Sequence, residues 1–334
     1  MDNFTLRDVF WNKVYDIAKQ DKNIVVVTAD MGAPALDKFK TNLSSQFIDV
    51  GIAEQQAISV AAGLALEGKK VFAYAIAPFI TLRCYEHIRI GLAAMNIPVT
   101  LVGVGAGFSY DDSGPTHHMV EDISVLRILP NIEINSISDR VMSSAFAQLS
   151  CEMNHPNYVR LDRKNMPDIY QEGTDFSSGI GLLKESSEIN ILATGNMVSN
   201  ALEVAKRLDE KSVDVGVIDI YTFPIKSDAF LKSIRNVKKL VTLEEHTLPG
   251  GMGSEVCELL NDNDVSIPVK RLGLNFSKGY CYKYGGRENI QSLYGLDVDS
   301  VTKTVVEFLN SNGSYYSDAA CYGSAKDVVS EKAI

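Results

Sequence analysis

The sequence predicts an α/β protein built from two doubly wound domains with mainly parallel sheets. Short apolar runs rich in valine and isoleucine alternate with segments whose apolar residues recur at three- and four-residue spacing, which is typical of strands alternating with helices. The run 24–27 (IVVV) is continuously β-branched, as in a strand buried on both faces. A length of 334 residues suggests two domains, each able to bury its own core.

Composition narrows the class of protein. A hydrophobic content of 46% and a charged content of 22% are typical of a globular protein. The net charge of −10 argues against nucleic acid or an anionic membrane as the main partner. The five cysteines form no C-x-x-C pair, so neither a disulfide framework nor a metal site is predicted. With no signal-peptide pattern and no apolar stretch of transmembrane length, the expected compartment is the cytoplasm.

The first predicted domain covers residues 1–165. A helix begins after the cap candidate Thr5, and apolar runs and periodic segments then alternate. The predicted strands are 24–27, 46–50, 70–76, 98–104, 132–137 and 158–161, and the predicted helices that follow strands are 53–67, 79–94 and 139–151.

A polar, irregular linker is predicted over 166–187, followed by a second domain over 188–310. The second domain repeats the alternation. Its predicted elements are strand 189–195, helix 197–209, strand 213–219, strand 240–246 and a helix after the glycine cluster 250–254. The small, polar tail 311–334 is expected to be disordered or to lie on a partner subunit.

The stretch Gln46–Gly68 places Glu54 at a strand-to-helix junction. The strand 46–50 ends at Gly51, and the following helix carries Glu54 in its first turn. Glu54 is therefore expected at the carboxyl edge of the sheet, where ligands bind in open α/β folds. The alternative interpretation is that the carboxylate only complements the helix dipole.

The run 49–55 (DVGIAEQ) resembles the D-x-G-I-A-E-Q/H motif in the pyrimidine-binding domain of transketolases and of 1-deoxyxylulose-5-phosphate synthases. These enzymes use thiamine diphosphate, and the resemblance implies that Glu54 contacts N1′ of the cofactor's aminopyrimidine. The cofactor's 4′-amino group acts as a base only when a proton is held at N1′. A buried carboxylic acid can donate that proton, so Glu54 is the first candidate catalytic residue.

The same resemblance assigns further cofactor contacts. The segment 28–30 (TAD) matches a T/S-A-D segment whose aspartate lies near the cofactor, which implies this role for Asp30. The segment 79–89 (FITLRCYEHIR) resembles F-x-x-x-R-A-Y-E-Q-I-R, in which aromatic rings stack on the aminopyrimidine. Phe79 and Tyr85 are the stacking candidates, and Arg83 is expected to line the pocket. An aromatic stripe at this spacing is otherwise typical of a core.

Substrate contacts are implied by two further motifs. The end of the long loop 103–119, G-P-T-H-H, resembles the family's G-P-T-H-Q/H and makes His117 the second catalytic candidate, with Asp112 and His118 as substrate contacts. The segment 163–167 (RKNMP) resembles a phosphate-binding R-x-N-x-P segment, which implies that Arg163 binds a substrate phosphate. The pair Arg160 and Arg163 could instead be surface charge. Ser113 and Gly105 replace an aspartate and a histidine of ordinary transketolases, so the donor sugar stays open.

The second domain resembles the C-terminal domain of the same family, including a V-x-x-E-E-H…G-G-x-G-S segment. Its glycine cluster could bind an anion at a helix start, but a structural role is the preferred interpretation. The G-D-G motif that marks the family's diphosphate- and Mg²⁺-binding domain is missing. The resemblance therefore implies one subunit of a split enzyme, with thiamine diphosphate and Mg²⁺ held mainly by a separate N-terminal-type subunit in an α₂β₂ heterotetramer.

Three functions are compatible with these observations. The first is transfer of a two-carbon ketol unit between sugars or sugar phosphates. The second is the chemistry of a 1-deoxyxylulose-5-phosphate synthase-like or 2-oxo-acid dehydrogenase β-like subunit, which release of CO₂ from pyruvate would reveal. The third is a scaffolding homologue without a cofactor, which the presence of Glu54, the aromatic residues and His117 disfavours.

Overall fold

The computed structural model describes residues 5–275, 277 and 279–311, and it confirms the predicted class of two mainly parallel sheets covered by helices. Most of the predicted tail, 312–334, lies outside the described residues. The strands of the first domain are β1 (Ile24–Thr28), β2 (Phe47–Asp49), β3 (Lys70–Ile76), β4 (Val99–Val104), β5 (Glu133–Ser136) and β6 (Asn157–Leu161). The strands that follow are β7 (Ile180–Lys184), β8 (Ile189–Ala193), β9 (Gly216–Ile220), β10 (Thr222–Phe223), β11 (Lys239–Thr247) and β12 (Val269–Leu274).

Helices cover both faces of the sheets. Those of the first domain are α1 (Leu6–Ala18), α2 (Pro34–Asn42), α3 (Glu54–Leu66), α4 (Ala77–Ile80), α5 (Tyr85–Ile88), α6 (Asp122–Leu126) and α7 (Arg140–Leu149). Those of the second domain are α8 (Met197–Asp209), α9 (Ser227–Ser233), α10 (Met252–Asp262), α11 (Arg287–Tyr294) and α12 (Val298–Asn310). None of these helices is long and apolar enough to cross a membrane.

Apolar clusters on both faces of β1 explain why this strand is a continuous run of β-branched residues. Val25 and Val27 pack into one apolar cluster with Ala57 of α3, whereas Val26 packs into a second cluster on the opposite face. That second cluster contains Trp11 of α1. Successive residues of a strand point to opposite faces, so a strand with a helical layer on each side needs an apolar residue at every position.

The predicted helix 79–94 is wrong as a single element. The chain forms α4, four residues of turn, α5 and then a π-helix over Arg89–Ala94. In the turn, the Thr81 hydroxyl donates to the carbonyl of Ala77 at 2.6 Å, and the amide of Arg83 donates to the carbonyl of Pro78 at 3.2 Å. A threonine hydroxyl that bonds to the carbonyl four residues back competes with helical hydrogen bonding. The break places Arg83 beside the start of α3.

The linker prediction also differs from the structure. Residues 180–184 form β7, which pairs antiparallel with β9 at the edge of the second sheet. That sheet has the order β12-β11-β8-β9-β7. β7 is half-buried and lacks a clear alternation of apolar and polar residues, which is why its periodicity did not predict a strand.

One short strand joins the two domains. β10, which follows β9 of the second domain, pairs antiparallel with β5 and completes the first sheet in the order β10-β5-β6-β4-β3-β1-β2. All other neighbours in this sheet are parallel. The carboxyl ends of β1, β2, β3, β4 and β6 therefore lie along one edge, and the loops that leave this edge carry the candidate residues.

Candidate active site

Five loops at the carboxyl edge of the first sheet hold the residues that the sequence singled out. Parallel neighbouring strands end at the same edge, so residues far apart in the chain are brought near one another there. The candidates follow β1 (Asp30), β2 (Glu54), β3 (Phe79, Arg83 and Tyr85), β4 (Asp112, His117 and His118) and β6 (Arg163).

Glu54 is the first residue of α3 and is only 5% exposed. Its Oε1 accepts a hydrogen bond from Arg83 Nη1 at 2.7 Å. An ionic partner and burial show that this carboxylate is more than a surface complement to the helix dipole. The neighbouring Gln55 donates from Nε2 to the carbonyl of Arg83 at 2.9 Å, so α3 also holds the backbone of the broken segment.

Phe79 lies between Arg83 and His117. The guanidinium carbon of Arg83 is 4.1 Å from the centroid of the Phe79 ring. The His117 ring meets the same phenyl ring edge-on with a centroid distance of 5.2 Å. The structure therefore gathers Glu54, Phe79, Arg83 and His117 into one cluster, although residues 54 and 117 are far apart in the chain.

Asp49 is a residue whose role the sequence analysis missed. Its Oδ1 accepts hydrogen bonds from the amide of Asp30 at 2.9 Å and from the amide of Gly51 at 3.0 Å. Asp49 thus ties the loop after β1 to the loop that leads to Glu54. Its position as the first residue of the D-V-G-I-A-E-Q run was the available signal. Asp30 itself is exposed and has a positive φ of 55°, which an aspartate tolerates better than most residues.

The loop after β4 carries the polar candidates. His117 is half-buried, and its Nδ1 is 2.9 Å from the Thr116 hydroxyl. Arg163 reaches this loop from β6: its Nη1 is 3.3 Å from Asp112 Oδ1, and its guanidinium lies 4.6 Å above the ring of Tyr110. Arg163 and Asp112 are both exposed, so the pair borders solvent.

Two residues predicted to contact the ligands, His118 and Tyr85, pack against other parts of the chain. His118 is 5% exposed and packs edge-on against Phe108 at 4.9 Å, on the side of the loop that faces the second domain. Burial lowers the pKa of His118, so the ring is neutral near pH 7. Tyr85 packs against the apolar core of the first domain. The observed contacts of Glu54, Phe79 and His117 thus include neither His118 nor Tyr85, and the roles of these two residues stay predictions.

The interpretation of Arg160 and Arg163 as a pair of surface charges is wrong for Arg160. It is 2% exposed, and its Nε donates to Asp122 Oδ2 at 2.7 Å. The Tyr158 hydroxyl donates to the same oxygen at 2.9 Å. Arg160 is thus half of a buried ion pair, and of the two arginines only Arg163 faces solvent.

The glycine cluster before α10 is filled by a carboxyl group of the same chain. Glu244 accepts hydrogen bonds from the amides of Met252 and Gly253, both at 2.8 Å. A Cβ on Gly251 would lie 2.3 Å from Glu244 Oε2, so the glycine allows this approach. Because a carboxylate of the chain fills the helix start, the structural interpretation of this cluster is the one that the geometry supports.

Within the part of the chain that the structure describes, no three His, Cys, Asp or Glu side chains are grouped so that they could hold a metal ion.

Comparison with known proteins identifies both domains. Residues 2–168 match the model of the transketolase pyrimidine-binding domain, and residues 180–301 match that of the transketolase C-terminal domain. One subunit of the apulose-4-phosphate transketolase of Phocaeicola vulgatus is 35% identical, and the match covers 91% of this chain and 97% of that protein. The 1-deoxy-D-xylulose-5-phosphate synthase of Syntrophus aciditrophicus is 32% identical over 93% of this chain, but only 48% of that enzyme is covered. A solved structure described as a split-gene transketolase, inactive beta4 tetramer, is 29% identical and superposes with a TM-score of 0.81 over 92% of this chain and 99% of its own.

Proposed function

This chain belongs to the transketolase family and is a subunit of a ketol-transferring enzyme, and from that premise we propose that Glu54 and His117 are its catalytic residues toward thiamine diphosphate and a sugar substrate. The observation that carries the proposal is the buried Glu54 carboxylate at the carboxyl edge of the sheet, with Phe79 and His117 in the same cluster.

The side chains around Glu54 fit the aminopyrimidine end of thiamine diphosphate. A flat ring needs an apolar face to stack on and a carboxyl group at its edge, and Phe79 and Glu54 provide these two groups. The planar guanidinium of Arg83 already lies on the Phe79 ring at 4.1 Å, so this face accommodates a flat cationic group. When bound, thiamine diphosphate would supply a nucleophilic carbon for the carbonyl of the donor sugar. Glu54 holds the proton at N1′ that makes the neighbouring amino group a base.

His117 acts on the donor sugar. It borders the cluster from the loop after β4 and is half-exposed, so a substrate that enters from solvent reaches its ring. A histidine at this point polarises the donor carbonyl and moves a proton at the carbonyl or hydroxyl oxygen. The hydrogen bond between its Nδ1 and Thr116 orients the ring.

Arg163 and Asp112 bind the polar end of the substrate. Arg163 is exposed at the loop after β6, and a planar guanidinium is the preferred bidentate partner of a phosphate. Asp112 is within reach of Arg163 and belongs to the same loop as His117, so it contacts sugar hydroxyls. We therefore expect a phosphorylated ketose as donor, in line with the sugar phosphate in the name of the Phocaeicola vulgatus relative. Ser113 and Gly105 leave the identity of this sugar open.

The chain works with a separate subunit that covers the site. Ile52, two residues before Glu54, is 79% exposed. Leu82, beside Arg83, is also exposed, and so are Ile90 and Met95 of the following segment. Exposed large apolar side chains such as Ile52 and Leu82, close in sequence to Glu54 and Arg83, are typical of a protein interface. The companion is an N-terminal-type transketolase subunit that holds Mg²⁺ and the diphosphate, in an α₂β₂ heterotetramer.

The similarity to 1-deoxy-D-xylulose-5-phosphate synthase supports a second candidate, in which pyruvate replaces the ketose donor. This reaction releases CO₂, whereas ketol transfer between sugars does not. Assaying both donors on the same complex separates the two.

The deciding experiment co-expresses the chain with its companion subunit and titrates thiamine diphosphate and Mg²⁺ into the complex. We expect saturable binding and turnover of ketose phosphates by the wild type, and loss of turnover by about 10²-fold or more in Glu54→Gln. The matched control is Glu86→Gln, because Glu86 is an exposed glutamate paired with Arg89. Equal turnover of Glu54→Gln and the wild type would refute the role of Glu54.

A further inference from the structure

The loop that carries His117 is hydrogen-bonded to residues of the second domain. Glu245, on β11, is buried, and its Oε2 accepts a hydrogen bond from the amide of Phe108 at 2.7 Å. Arg287, at the start of α11, donates from Nη2 to the carbonyl of Ala106 at 3.3 Å, and its own amide donates to Asp111 Oδ2 at 2.7 Å. Two residues of the second domain thus bind the loop at three points between Ala106 and Asp111.

Glu245 and Arg287 are also fixed to each other. Arg287 Nε lies 3.0 Å and 3.1 Å from the two carboxylate oxygens of Glu245, and Nη2 lies 2.5 Å from Oε2. Gln291, one turn further along α11, donates to Glu245 Oε1 at 2.6 Å. Burial acts to raise the pKa of Glu245, but the Arg287 guanidinium outweighs it and the pKa lies below its ordinary value. The carboxylate is therefore ionised and held in one orientation.

Arg287 extends this support to the loop after β6. Its Nη1 donates to Asp162 Oδ2 at 2.5 Å, and Asp162 directly precedes Arg163. The other Asp162 oxygen accepts from the amide of Lys164 at 2.7 Å. A single buried guanidinium thus sets the relative position of the loop with His117 and the loop with Arg163.

The backbone of the loop is shaped for this contact. A Cβ on Gly107 would lie 1.9 Å from Glu245 Oε2, so any side chain there would displace the carboxylate. Gly107 also has a positive φ of 59°, which favours glycine. The next residue, Phe108, stacks on Tyr294 of α11 with a centroid distance of 5.7 Å and an interplanar angle of 25°. The second domain therefore holds both the backbone and a ring of this loop.

We propose that Glu245 and Arg287 are positioning residues for ketol transfer, because they place the loop that carries His117 and the start of the loop that carries Arg163. The inference rests on the proposed function for its kinetic consequence. It assigns to the second domain a part in shaping the substrate side of the site, separate from the cofactor side at Glu54.

The competing explanation is that this ion pair only holds the two domains together. The chain offers a matched control for it, because a second ion pair also joins the domains. Arg127, after α6, donates to the carbonyl of Gly250 at 2.6 Å and from Nη2 to Glu258 Oε1 at 2.6 Å, in the second domain. These bonds go to α10 and the turn before it, not to the loop with His117.

The experiment compares Arg287→Lys and Glu245→Gln with Arg127→Lys and Glu258→Gln, each as the complex with the wild-type companion subunit. For the first pair we expect kcat/KM toward a ketose phosphate to fall by about ten- to a hundredfold, the effect of losing a charge-assisted hydrogen bond. The affinity for thiamine diphosphate, set at the Glu54 side, stays at the wild-type value. For the control pair, kcat/KM stays within about twofold.

A second readout does not depend on activity. Hydrogen–deuterium exchange of the Phe108 amide should accelerate in Arg287→Lys, in Glu245→Gln and in Gly107→Ala, which disturbs the same contact from the loop side, and not in the control pair. Unchanged exchange at Phe108, or equal kinetic losses in both pairs, would overturn the inference in favour of simple domain adhesion. Absence of ketol transfer in the wild-type complex would instead refute the proposed function, and exchange at Phe108 would still test the positioning.

Discussion

Arg83 Nη1 lies 2.7 Å from Glu54 Oε1, and the same guanidinium lies 4.1 Å over the Phe79 ring. The exposed arginine therefore covers the two groups that we assign to the cofactor's pyrimidine, the buried carboxylate and the apolar ring face. The guanidinium thus occupies the carboxylate oxygen and the ring face that the pyrimidine would contact. We infer that Arg83 moves aside when the cofactor binds.

Replacement of Arg83 should therefore strengthen cofactor binding. In Arg83→Met we expect the Kd for thiamine diphosphate to fall by about two- to fivefold, since an ion pair with one exposed partner contributes less than about 1 kcal/mol. Calorimetric titration of the complex measures this. Arg89→Met, which breaks an exposed pair with Glu86, is the control and should leave the Kd unchanged. Weaker binding in Arg83→Met would mean that Arg83 itself contacts the cofactor.

Replacement of His117 should affect the sugar and not the cofactor. We expect His117→Asn to lower kcat/KM for ketose phosphates by about 10²-fold or more, because a general acid–base group is lost. The Kd for thiamine diphosphate should stay within about twofold. His155→Asn serves as the control. His155 lies just before the first residue of β6, whereas the candidate residues lie at the carboxyl end of this strand. A wild-type kcat/KM in His117→Asn would remove this residue from the mechanism.

Arg163 should discriminate between phosphorylated and unphosphorylated substrates. In Arg163→Lys the bidentate geometry is lost while the charge stays, so we expect KM for a ketose phosphate to rise by about tenfold. KM for the same sugar without its phosphate should not change. Arg207→Lys is the control, because Arg207 pairs with Glu203 and Asp299 on the surface of the second domain. A parallel rise for both sugars would show that Arg163 does not bind the phosphate.

The buried pair of Asp122 and Arg160 should be essential for stability. Asp122→Asn leaves the Arg160 guanidinium buried without its counter-charge, which costs about 3–5 kcal/mol. Denaturant unfolding should show a lower midpoint with an unchanged slope. The control, Asp168→Asn, breaks a solvent-exposed pair with Arg140 and should cost less than about 1 kcal/mol. Similar losses in the two variants would contradict the burial argument.

Asp219 should make stability depend on pH. Burial raises the pKa of Asp219 from 3.8 to about 7, although Ser138 and Tyr170 donate to its carboxylate. Because the folded pKa is the higher one, the unfolded chain loses this proton first as pH rises. Stability therefore decreases between about pH 4 and pH 7, by about 4 kcal/mol at most.

The variant Asp219→Asn removes this titration. We expect the variant and the wild type to have nearly the same free energy of unfolding at pH 4. Above pH 7 the variant should exceed the wild type by the largest amount, as measured by denaturant unfolding across this range. The exposed Asp228→Asn is the control and should track the wild type. A gain in Asp219→Asn that is constant over the whole pH range would show that the carboxyl titrates normally in the folded protein.

Local pattern and motif were enough to predict the elements on which the site depends. The β-branched run of β1 and the helical spacing after Gly51 identified buried strands and the junction at Glu54, because burial on two faces and a helical stripe each leave a periodic signature. The positions of Phe79, His117 and Arg163 at the ends of strands then followed from parallel topology. In the structure Phe79 and His117 are in ring contact, and Arg163 contacts Tyr110 of the loop that carries His117.

Contacts over long sequence separations were decided only by the tertiary structure. The hydrogen bond from Phe108 to Glu245 spans 137 residues, and the one from Arg287 to Asp162 spans 125. Sequence periodicity does not predict such pairs, because the side chains of Glu245, Arg287 and Asp162 are polar and would be expected on the surface. The inward turn of His118, the burial of Arg160 and the pairing of Arg83 with Glu54 have the same origin. A residue's neighbours across the fold, not its neighbours in the chain, determine whether a polar group is buried and which partner it finds.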